Sequence, residues 1–344
     1  MTDWNINTLP GKENKKKTKK KYKIISDNTK SYIKICIPTM ALIVTLLTDI
    51  LVPNHKNAKH RELTNFRNVL IVCIIITLIL IVVAIFNKKY RQKYQYKSWF
   101  VGGAILFLNV VNISTVKLLL LPQMYFPSLN RIFQVYISDY KFLLTCLGSS
   151  FTLLIEGLVV GIILGIITGI LIGWSRKWNY WVYPIIRFLG PIPSSTWIPL
   201  ALIAFPSARY AAAFLIAFGV WFQITILTSS GIQGVKKSYF EVSKTLGASN
   251  NQNLFRIAIP DALPSMFLGF FNATCSSFVA LMAAEMLGCK SGIGWYINWQ
   301  KEMMSYANVY AGLILIAIFC YLFITLQFKI RNKLLGWQKG VIQW

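Results

Sequence analysis

The chain has 344 residues, 55% of them hydrophobic, and 36 Lys and Arg against 11 Asp and Glu give a formal net charge of +25. The apolar residues come in runs that an ordinary soluble domain does not carry, and a helix needs roughly 20 of them to cross a bilayer. Nucleic-acid binding is the competing explanation of the charge, but apolar runs separate the basic clusters. We therefore expect a multi-pass membrane protein that binds no nucleic acid.

The first part of the chain carries charge but no chemical motif. Residues 1–30 are a lysine-rich tail, predicted to be a basic cytoplasmic segment that attracts anionic lipid headgroups or only sets the topology. Residues 31–97 are predicted to form an extra transmembrane hairpin. A cleavable signal peptide is not expected, because the apolar run after the tail is long and lacks a small-residue cleavage site.

Eight apolar stretches are candidate membrane spans, at roughly 33–52, 69–86, 99–121, 147–173, 188–206, 209–230, 263–284 and 307–328. Lys and Arg gather in the cytoplasmic loops of membrane proteins. Basic residues occur in the tail and after the second, fourth, sixth and eighth stretches, which all fall on one side if eight spans exist. We predict an all-α protein of the cell membrane with both termini in the cytoplasm. The loop 53–67 is an exception, because it is basic yet should face outward.

The fourth stretch carries glycine at every fourth position: Gly157, Gly161, Gly165, Gly169 and Gly173. This spacing places the glycines along one stripe of a helix, where another backbone can approach closely. The stripe predicts either static packing within the protein or a sliding surface between helices, and we favour static packing. Glu156 precedes the stripe and is expected to reach toward the membrane interface.

The fifth stretch is rich in proline, with Pro191, Pro193 and Pro199. It also contains the hydroxyl groups of Ser194 and Ser195. Proline frees backbone groups in a helix, and a broken helix at membrane depth is tolerated where it lines a cavity or packs in protein. A lining of the transport pathway and a purely structural kink both fit this segment.

The polar stretch 236–260 lies between the sixth and seventh candidate spans and reads as two short helices. Ser238 can cap the first, and Gly247 stands where a left-handed C-terminal cap is expected. Ser249, with Gln252 three residues later, predicts a capping box that starts the second helix, which Pro260 should end. A compact, capped polar module between membrane spans indicates a docking surface, although an ordinary amphipathic loop has the same pattern.

Glu285, in the segment AAEMLGCKSGIG, is a second acid at the edge of a span. An unpaired carboxylate would repel an anion in a pathway, so we favour a structural role in which a backbone or basic donor pairs with it, and keep a pathway role as the alternative. The six scattered cysteines form no CxxC pair, and no metal site or cofactor is expected.

The motifs after about residue 98 resemble the permease subunits of ABC importers, in particular the nitrate, sulfonate, taurine and bicarbonate branch. The spacing of Glu241, Gly247, Ile257 and Pro260 is similar to that of the family's EAA loop, in which Ala248 follows the glycine. Val242 and Ser243 stand where the family has two alanines. The segments with P-I-P and I-P-L, and AAEMLG followed by S-G-x-G, are also similar and come in the family's order.

This resemblance implies that residues 98–344 form a permease transmembrane domain of the type I importer fold. It implies that Glu241, Gly247, Ala248, Ile257 and Pro260 belong to a coupling loop for a separate cytoplasmic ATPase. The other implied partners are an extracytoplasmic substrate-binding protein and a second permease copy, most simply as a homodimer. The chain itself has no GxxxxGK[ST] phosphate loop, so it should not be the ATPase. An ion-coupled secondary transporter is the alternative, and a membrane scaffold or membrane-embedded enzyme ranks behind it.

Overall fold

The computed structural model describes residues 34–55, 65–190 and 192–336. The predicted tail 1–30 and the pathway candidate Pro191 therefore lie outside the described residues. Within the described ranges all regular structure is helical, as predicted. The contacts divide the chain into two units, Met1–Gln134 and Val135–Trp344.

The first unit contains three long helices: α1 (Lys34–Leu51), α2 (Asn65–Phe86) and α3 (Lys88–Asn112), which continues through a π-helical turn (Ile113–Lys117). α1 and α3 run in the same direction. Ile37, near the beginning of α1, lies against Gly102 in the middle of α3. Further along both helices the Thr48 hydroxyl donates to Asn109 Oδ1 (3.0 Å), and at their far ends Lys117 Nζ donates to the carbonyl of Asp49 (3.1 Å). α3 passes through residue 97 without a break, so no end of a helix marks the predicted boundary between the hairpin and the permease domain. The boundary stays a prediction.

The second unit holds the remaining helices, named in chain order: α4 (Leu129–Ser138, which begins before the division), α5 (Tyr140–Trp174), α6 (Arg176–Leu189), α7 (Ile198–Ala204), α8 (Ala208–Gln233), α9 (Lys237–Thr245), α10 (Asn250–Asn253), α11 (Ile259–Leu287), α12 (Ile293–Glu302) and α13 (Tyr306–Leu334). Its core lies where α5, α8 and α11 meet, with Leu154, Ile216 and Leu281 fully buried.

Two neighbouring helices of this core, α5 and α8, are parallel. Gly157 of α5 lies against Ile216 of α8, whereas Gly173, at the other end of α5, lies against Ile232. Two helices that point the same way cannot be joined by a short turn, so the segment between them has to return across the full length of the pair.

The returning segment is the predicted fifth span, and it is not one long helix. It consists of the end of α6, a short 3₁₀ turn (Ser194–Trp197) and α7, which has only 7 residues. The segment nevertheless runs antiparallel to α8 throughout. Successive residues of the segment meet earlier and earlier residues of α8: Gly190 faces Phe222, Trp197 contacts Phe218, and Phe205 contacts Phe214.

Seven helices within the described ranges are long and apolar enough to cross a membrane, against the eight predicted spans. The fifth predicted span, 188–206, is not a helix of spanning length, and its prolines interrupt the helix as the sequence indicated. The direction of the chain still reverses over this segment, and eight passages through the membrane stay a prediction.

α11 runs antiparallel to α8, since Gly231 near the end of α8 meets Ser265 near the start of α11. α13 runs antiparallel to α11, because Phe278 contacts Phe319 while Phe271 contacts Phe328. The ends of α5, α8 and α13 therefore lie at the same end of the unit as α9 and α10.

Candidate docking module and polar cavity

The residues 236–260 form a compact module in which the predicted glycine cap is present. α9 ends at Thr245, and Gly247 has a φ of +78°, in the left-handed region that glycine adopts without strain. The Gly247 N–H donates to the Lys244 carbonyl and the Ala248 N–H to the Ser243 carbonyl, each at 3.0 Å. This pair of bonds is a Schellman motif, which turns the chain sharply and satisfies the last carbonyls of the helix.

The next turn contains the predicted capping box. The Ser249 N–H donates to Gln252 Oε1 (2.8 Å), and the Gln252 N–H donates to Ser249 Oγ (3.4 Å). The other predicted cap was wrong: Lys236 precedes α9 and makes no side-chain cap, and Ser238 lies inside the helix. Ser238 comes two residues after the N-cap position, Lys236, which is too late to accept from the first free N–H groups of α9.

The sequence predicted that Pro260 ends the second helix, and this prediction was wrong. α10 continues through a π-helical turn (Leu254–Ala258) into α11, and the helical run extends from Asn250 to Leu287. The Ile259 N–H donates to the Leu254 carbonyl, a wider spacing than in an α-helix. This bulge interrupts the regular bonding ladder just before Pro260, where the proline lacks a donor.

Buried contacts hold the two halves of the module together. The Ser243 hydroxyl donates to Asn253 Oδ1 at 2.7 Å, and both side chains are buried. Phe240 of α9 packs edge-on against Trp174, the last residue of α5, with 5.9 Å between ring centroids. The module is therefore attached to three long helices: it joins α8 to α11 and rests on the end of α5.

The outer face of the module carries exposed apolar side chains among charged and polar ones, although it lies outside the long helices. Val242, Leu246 and Phe255 are 60%, 81% and 66% exposed, and Glu241 beside them is also exposed. Between the helices lies a groove of about 340 Å³, bordered by Leu246, Gly247, Ala248, Gln252, Asn253, Arg256 and Ile257. Of the predicted coupling residues, Glu241, Gly247, Ala248 and Ile257 thus border this face, whereas Pro260 is part of the helix below. Exposed apolar surface of this kind is typical of a protein-binding site.

The five glycines of the stripe all face α8. A Cβ atom added at any of them would lie between 2.5 and 2.9 Å from an atom of α8, and at Gly161 the obstacle includes the backbone carbonyl of Ala217. The Thr168 and Thr225 hydroxyls, 2.7 Å apart, form a hydrogen bond across the same contact. The geometry is that of two backbones in close contact.

A cavity of about 230 Å³ lies where the broken segment meets α8 and α11. Most of its lining residues are apolar, and we call it the polar cavity for the few hydroxyl and amide groups that border it. Pro193, Ser194 and Ser195 line one wall, and the opposite walls include Gln223 and Ser276, whose side chains are joined by a 3.2 Å hydrogen bond. No charged side chain lines it within the described residues. The sequence analysis missed Gln223 and Ser276, because a single amide and a single hydroxyl inside apolar helices form no pattern.

Glu285 does not line this cavity. It is fully buried, its Oε1 accepts from Ser150 Oγ and its Oε2 from the Gly294 N–H, both at 2.7 Å. Ser150 Oγ in turn accepts from the Ile293 N–H at 2.8 Å. Gly292 has a φ of +119°, and a Cβ there would lie 2.4 Å from the carboxyl group. The carboxylate thus caps the N-terminus of α12 from a distant helix and contacts no solvent-filled space.

Glu156 pairs with a partner that the sequence did not predict. Its Oε1 accepts from Arg209 Nη2 at 2.6 Å, and both side chains are about half exposed. The pair joins α5 to the start of α8. Arg209 lies 53 residues away in the sequence, and nothing local to either residue indicates the pairing.

No group of three His, Cys, Asp or Glu side chains that could hold a metal ion occurs within the described ranges. All six cysteines, which lie in those ranges, are free. The module and the polar cavity are two places where the described part of the chain combines polar groups with accessible space.

Comparison with known proteins gives a family match over the second unit. The family described as "Binding-protein-dependent transport system inner membrane component" matches residues 161–336, which include the module, both walls of the cavity and Glu285. The chain also resembles a chain of the MetNI methionine ABC transporter in an inward facing conformation, at 20% identity, covering 57% of this chain and 97% of that one with a TM-score of 0.48.

Three curated relatives carry more specific names. The chain is 30% identical over 166 residues to the putative aliphatic sulfonates transport permease protein SsuC of Bacillus subtilis, covering 48% of this chain and 60% of that one. It is 33% identical over 135 residues to the bicarbonate transport system permease protein CmpB of Synechococcus elongatus, covering 39% and 48%. It is 35% identical over 136 residues to the nitrate import permease protein NrtB of Synechocystis, covering 38% and 50%. The chain thus spans about half the length of these relatives.

Proposed function

The chain belongs to the family of binding-protein-dependent transport system inner membrane components, and we propose that it is the permease subunit of an ATP-driven importer for a small anion. The observation that carries this proposal is the capped module with its exposed apolar face. A surface that is rigid underneath and apolar outside is suited to hold a partner protein and to be moved by it.

The connections of the module explain how such a partner would act on the pathway. The module lies between α8 and α11, and these two helices supply Gln223 and Ser276 to the polar cavity. The continuous helical run from Asn250 to Leu287 passes a displacement of the module directly to one wall. A movement of the module of a few ångströms would therefore change the separation of the two walls, which is the step that opens a closed site.

The proposed cargo is a small oxyanion such as a sulfonate, taurine, nitrate or bicarbonate. The names of three relatives point to this class. The cavity agrees with it, because hydroxyl and amide groups can donate to anionic oxygens and no carboxylate lines the walls to repel them. Neutral donors also favour release, since hydrogen bonds from neutral groups are weaker than those from a cation.

ATP hydrolysis is assigned to a separate cytoplasmic subunit, because the chain lacks a phosphate-binding loop. An extracytoplasmic binding protein would deliver the anion, and a second copy of the permease would complete the pathway. The module and the end of α13 lie at the same end of the second unit, which is proposed to face the cytoplasm.

The partner assignment is tested by purification. The tagged chain should retain an ATPase subunit in mild detergent, and the complex should hydrolyse ATP, whereas the chain alone should show no hydrolysis above background. The measurement is the rate of phosphate release from ATP. The control is a complex whose ATPase carries a substitution of its phosphate-loop lysine. Uptake that persists in that complex and follows an ion gradient would instead support a secondary transporter.

The orientation is tested by cysteine labelling, because Ser249 and Met303 are both exposed and lie at opposite ends of the second unit. With the six native cysteines replaced, a membrane-impermeant maleimide should label Met303→Cys in intact cells and Ser249→Cys only after permeabilisation. Labelling of both variants from the outside would contradict the opposite placement of the two loops. Labelling in the reverse pattern would contradict the cytoplasmic position of the module.

A further inference from the structure

A second cavity, of about 340 Å³, lies at the opposite end of the second unit from the module. It is formed by the first part of α5, the start of α8 and the loop between α11 and α12. The lining residues are Ser149, Leu153, Ser207, Ala208, Arg209, Gly288, Cys289, Lys290 and Ser291. We refer to this set as the basic cavity.

The basic cavity carries two cations and no acid among its lining residues. Lys290 makes no ion pair within the described ranges. Arg209 uses Nη2 to bind Glu156 at 2.6 Å and Thr152 at 3.4 Å, and the rest of its guanidinium N–H groups remain for another acceptor. The Glu156 carboxylate fixes the position of Arg209 but neutralises only part of the positive charge, so the local potential is positive.

Hydroxyl groups complete the set of donors. Ser149, Ser207 and Ser291 come from three different parts of the chain and border the same space. Hydroxyl groups and cations together match the oxygen atoms of an oxyanion. Much of the lining surface is apolar, but Leu153 is the one long apolar side chain among the lining residues, which leaves an acyl chain few partners of matching length. The chemistry favours a small soluble anion over a phospholipid.

We propose that the basic cavity is an anion-binding site, distinct from the neutral polar cavity, that receives a sulfonate-type or similarly small oxyanion before it passes into the pathway. The binding chemistry stands on the residues of the cavity alone. Its place in import rests on the proposed function. Lys290 supplies the free charge, Arg209 supplies oriented donors, and the three serines complete the shell.

Cys289 provides a direct probe, because it lines the same cavity with its Sγ 3.9 Å from the Ala208 carbonyl. Burial raises the pKa of the Cys289 thiol to about 11. The lower fraction of thiolate slows the reactions with both reagents equally, whatever their charge. The ratio of rates for two reagents of opposite charge therefore reports the local potential. Suitable reagents are 2-sulfonatoethyl and 2-(trimethylammonio)ethyl methanethiosulfonate, with modification of the Cys289 peptide read by mass spectrometry in the full-length protein.

The sulfonate reagent should react faster than the ammonium reagent, relative to their rates with a free thiol. At low ionic strength Lys290→Gln should slow the sulfonate reagent about fivefold and speed the ammonium reagent about fivefold, the effect of one charge at contact distance. The preference should therefore fall about 25-fold. Lys301→Gln, an exposed lysine of α12 outside the cavity, is the matched control and should leave it unchanged. Glu156→Gln should increase the preference, because it removes the carboxylate that opposes the cations.

Methanesulfonate at constant ionic strength should protect Cys289 from the sulfonate reagent in the parent and not in Lys290→Gln. An equal preference in parent, Lys290→Gln and Lys301→Gln, or no protection by methanesulfonate, would overturn the site. A preference that appears only in bilayers containing phosphatidylglycerol would assign the cavity to lipid and also contradict the proposal.

Uptake separates this inference from the proposed function. If the whole importer takes up a labelled sulfonate and Lys290→Gln raises KM about fivefold with little change in kcat, the cavity serves import. Normal uptake with an unchanged KM would refute that role while leaving the importer intact. No uptake by the parent would count against the proposed function, and the Cys289 measurement would still decide whether the cavity binds an anion.

Discussion

Replacing Gly247 with valine is expected to abolish uptake while the protein still reaches the membrane in normal amounts. Gly247 has a φ of +78°, and a β-branched residue in the left-handed region is strained by about 1–2 kcal/mol or more. No atom outside its immediate surroundings lies within 4 Å of an added Cβ, so the expected defect comes from backbone conformation and not from collision. Relief of the strain would break the Schellman bonds to Lys244 and Ser243 and reorient α9.

The matched control is Gly247→Asn, since asparagine tolerates the left-handed region better than other side chains. It should retain most of the uptake and of the ATPase bound during purification, whereas Gly247→Val should lose both. Glu241→Ala changes one exposed charge on the same face and is expected to be milder. If Gly247→Val transports as well as the parent, the module does not transmit force and the proposed mechanism fails.

Replacing Gly161 with alanine is expected to destabilise the second unit by about 2–3 kcal/mol, as overpacking of a close contact does. The added Cβ would lie 2.6 Å from the backbone carbonyl of Ala217 and from the Val220 side chain. The carbonyl belongs to a helix and cannot rotate away, so α5 and α8 have to separate. The unfolding midpoint of the purified protein should fall by roughly 5–10 °C.

Gly148 supplies the control for this substitution because it lies in the same helix and an added Cβ meets nothing within 4 Å. Gly148→Ala should leave the midpoint unchanged or raise it slightly, since alanine favours helix by about 0.5–1 kcal/mol. Equal midpoints for the two alanine variants would show that the stripe tolerates separation, which is what a sliding surface between helices requires.

The features predicted correctly from the sequence are those that depend on neighbouring residues. The glycine cap and the capping box at Ser249 follow from bonds that span three to five residues, and the glycine stripe follows from helical spacing. The prediction that Pro260 ends a helix used the same local logic and was wrong. A π-helical turn placed just before it gives the chain a second way to accommodate a proline, and no residue pattern marks that turn.

The contacts that the sequence did not predict join distant parts of the chain. Glu285 binds Ser150, which is 135 residues away, and Gln223 binds Ser276, which is 53 residues away. The sequence indicated that an acid at the edge of a span, such as Glu285, needs a hydrogen-bond donor, but it did not indicate which residue supplies the donor. The choice depends on how α5, α8, α11 and α12 pack, and a single sequence contains no direct signal of that packing.

The parallel arrangement of α5 and α8 has a consequence for how the chain enters the bilayer during synthesis. Neighbouring helices commonly insert as antiparallel pairs, but the close partner of α5 along its glycine stripe is the next helix that points the same way. The segment between α5 and α8 is made before α8 and has to enter the bilayer first. It contains α7, with 7 residues, and no continuous apolar helix of spanning length. Its unpaired backbone groups are sheltered only by protein, so it cannot rest alone in lipid. We therefore expect this segment to stay beside the insertion machinery until α8 has been made, because α8 packs against both the segment and the glycine stripe of α5.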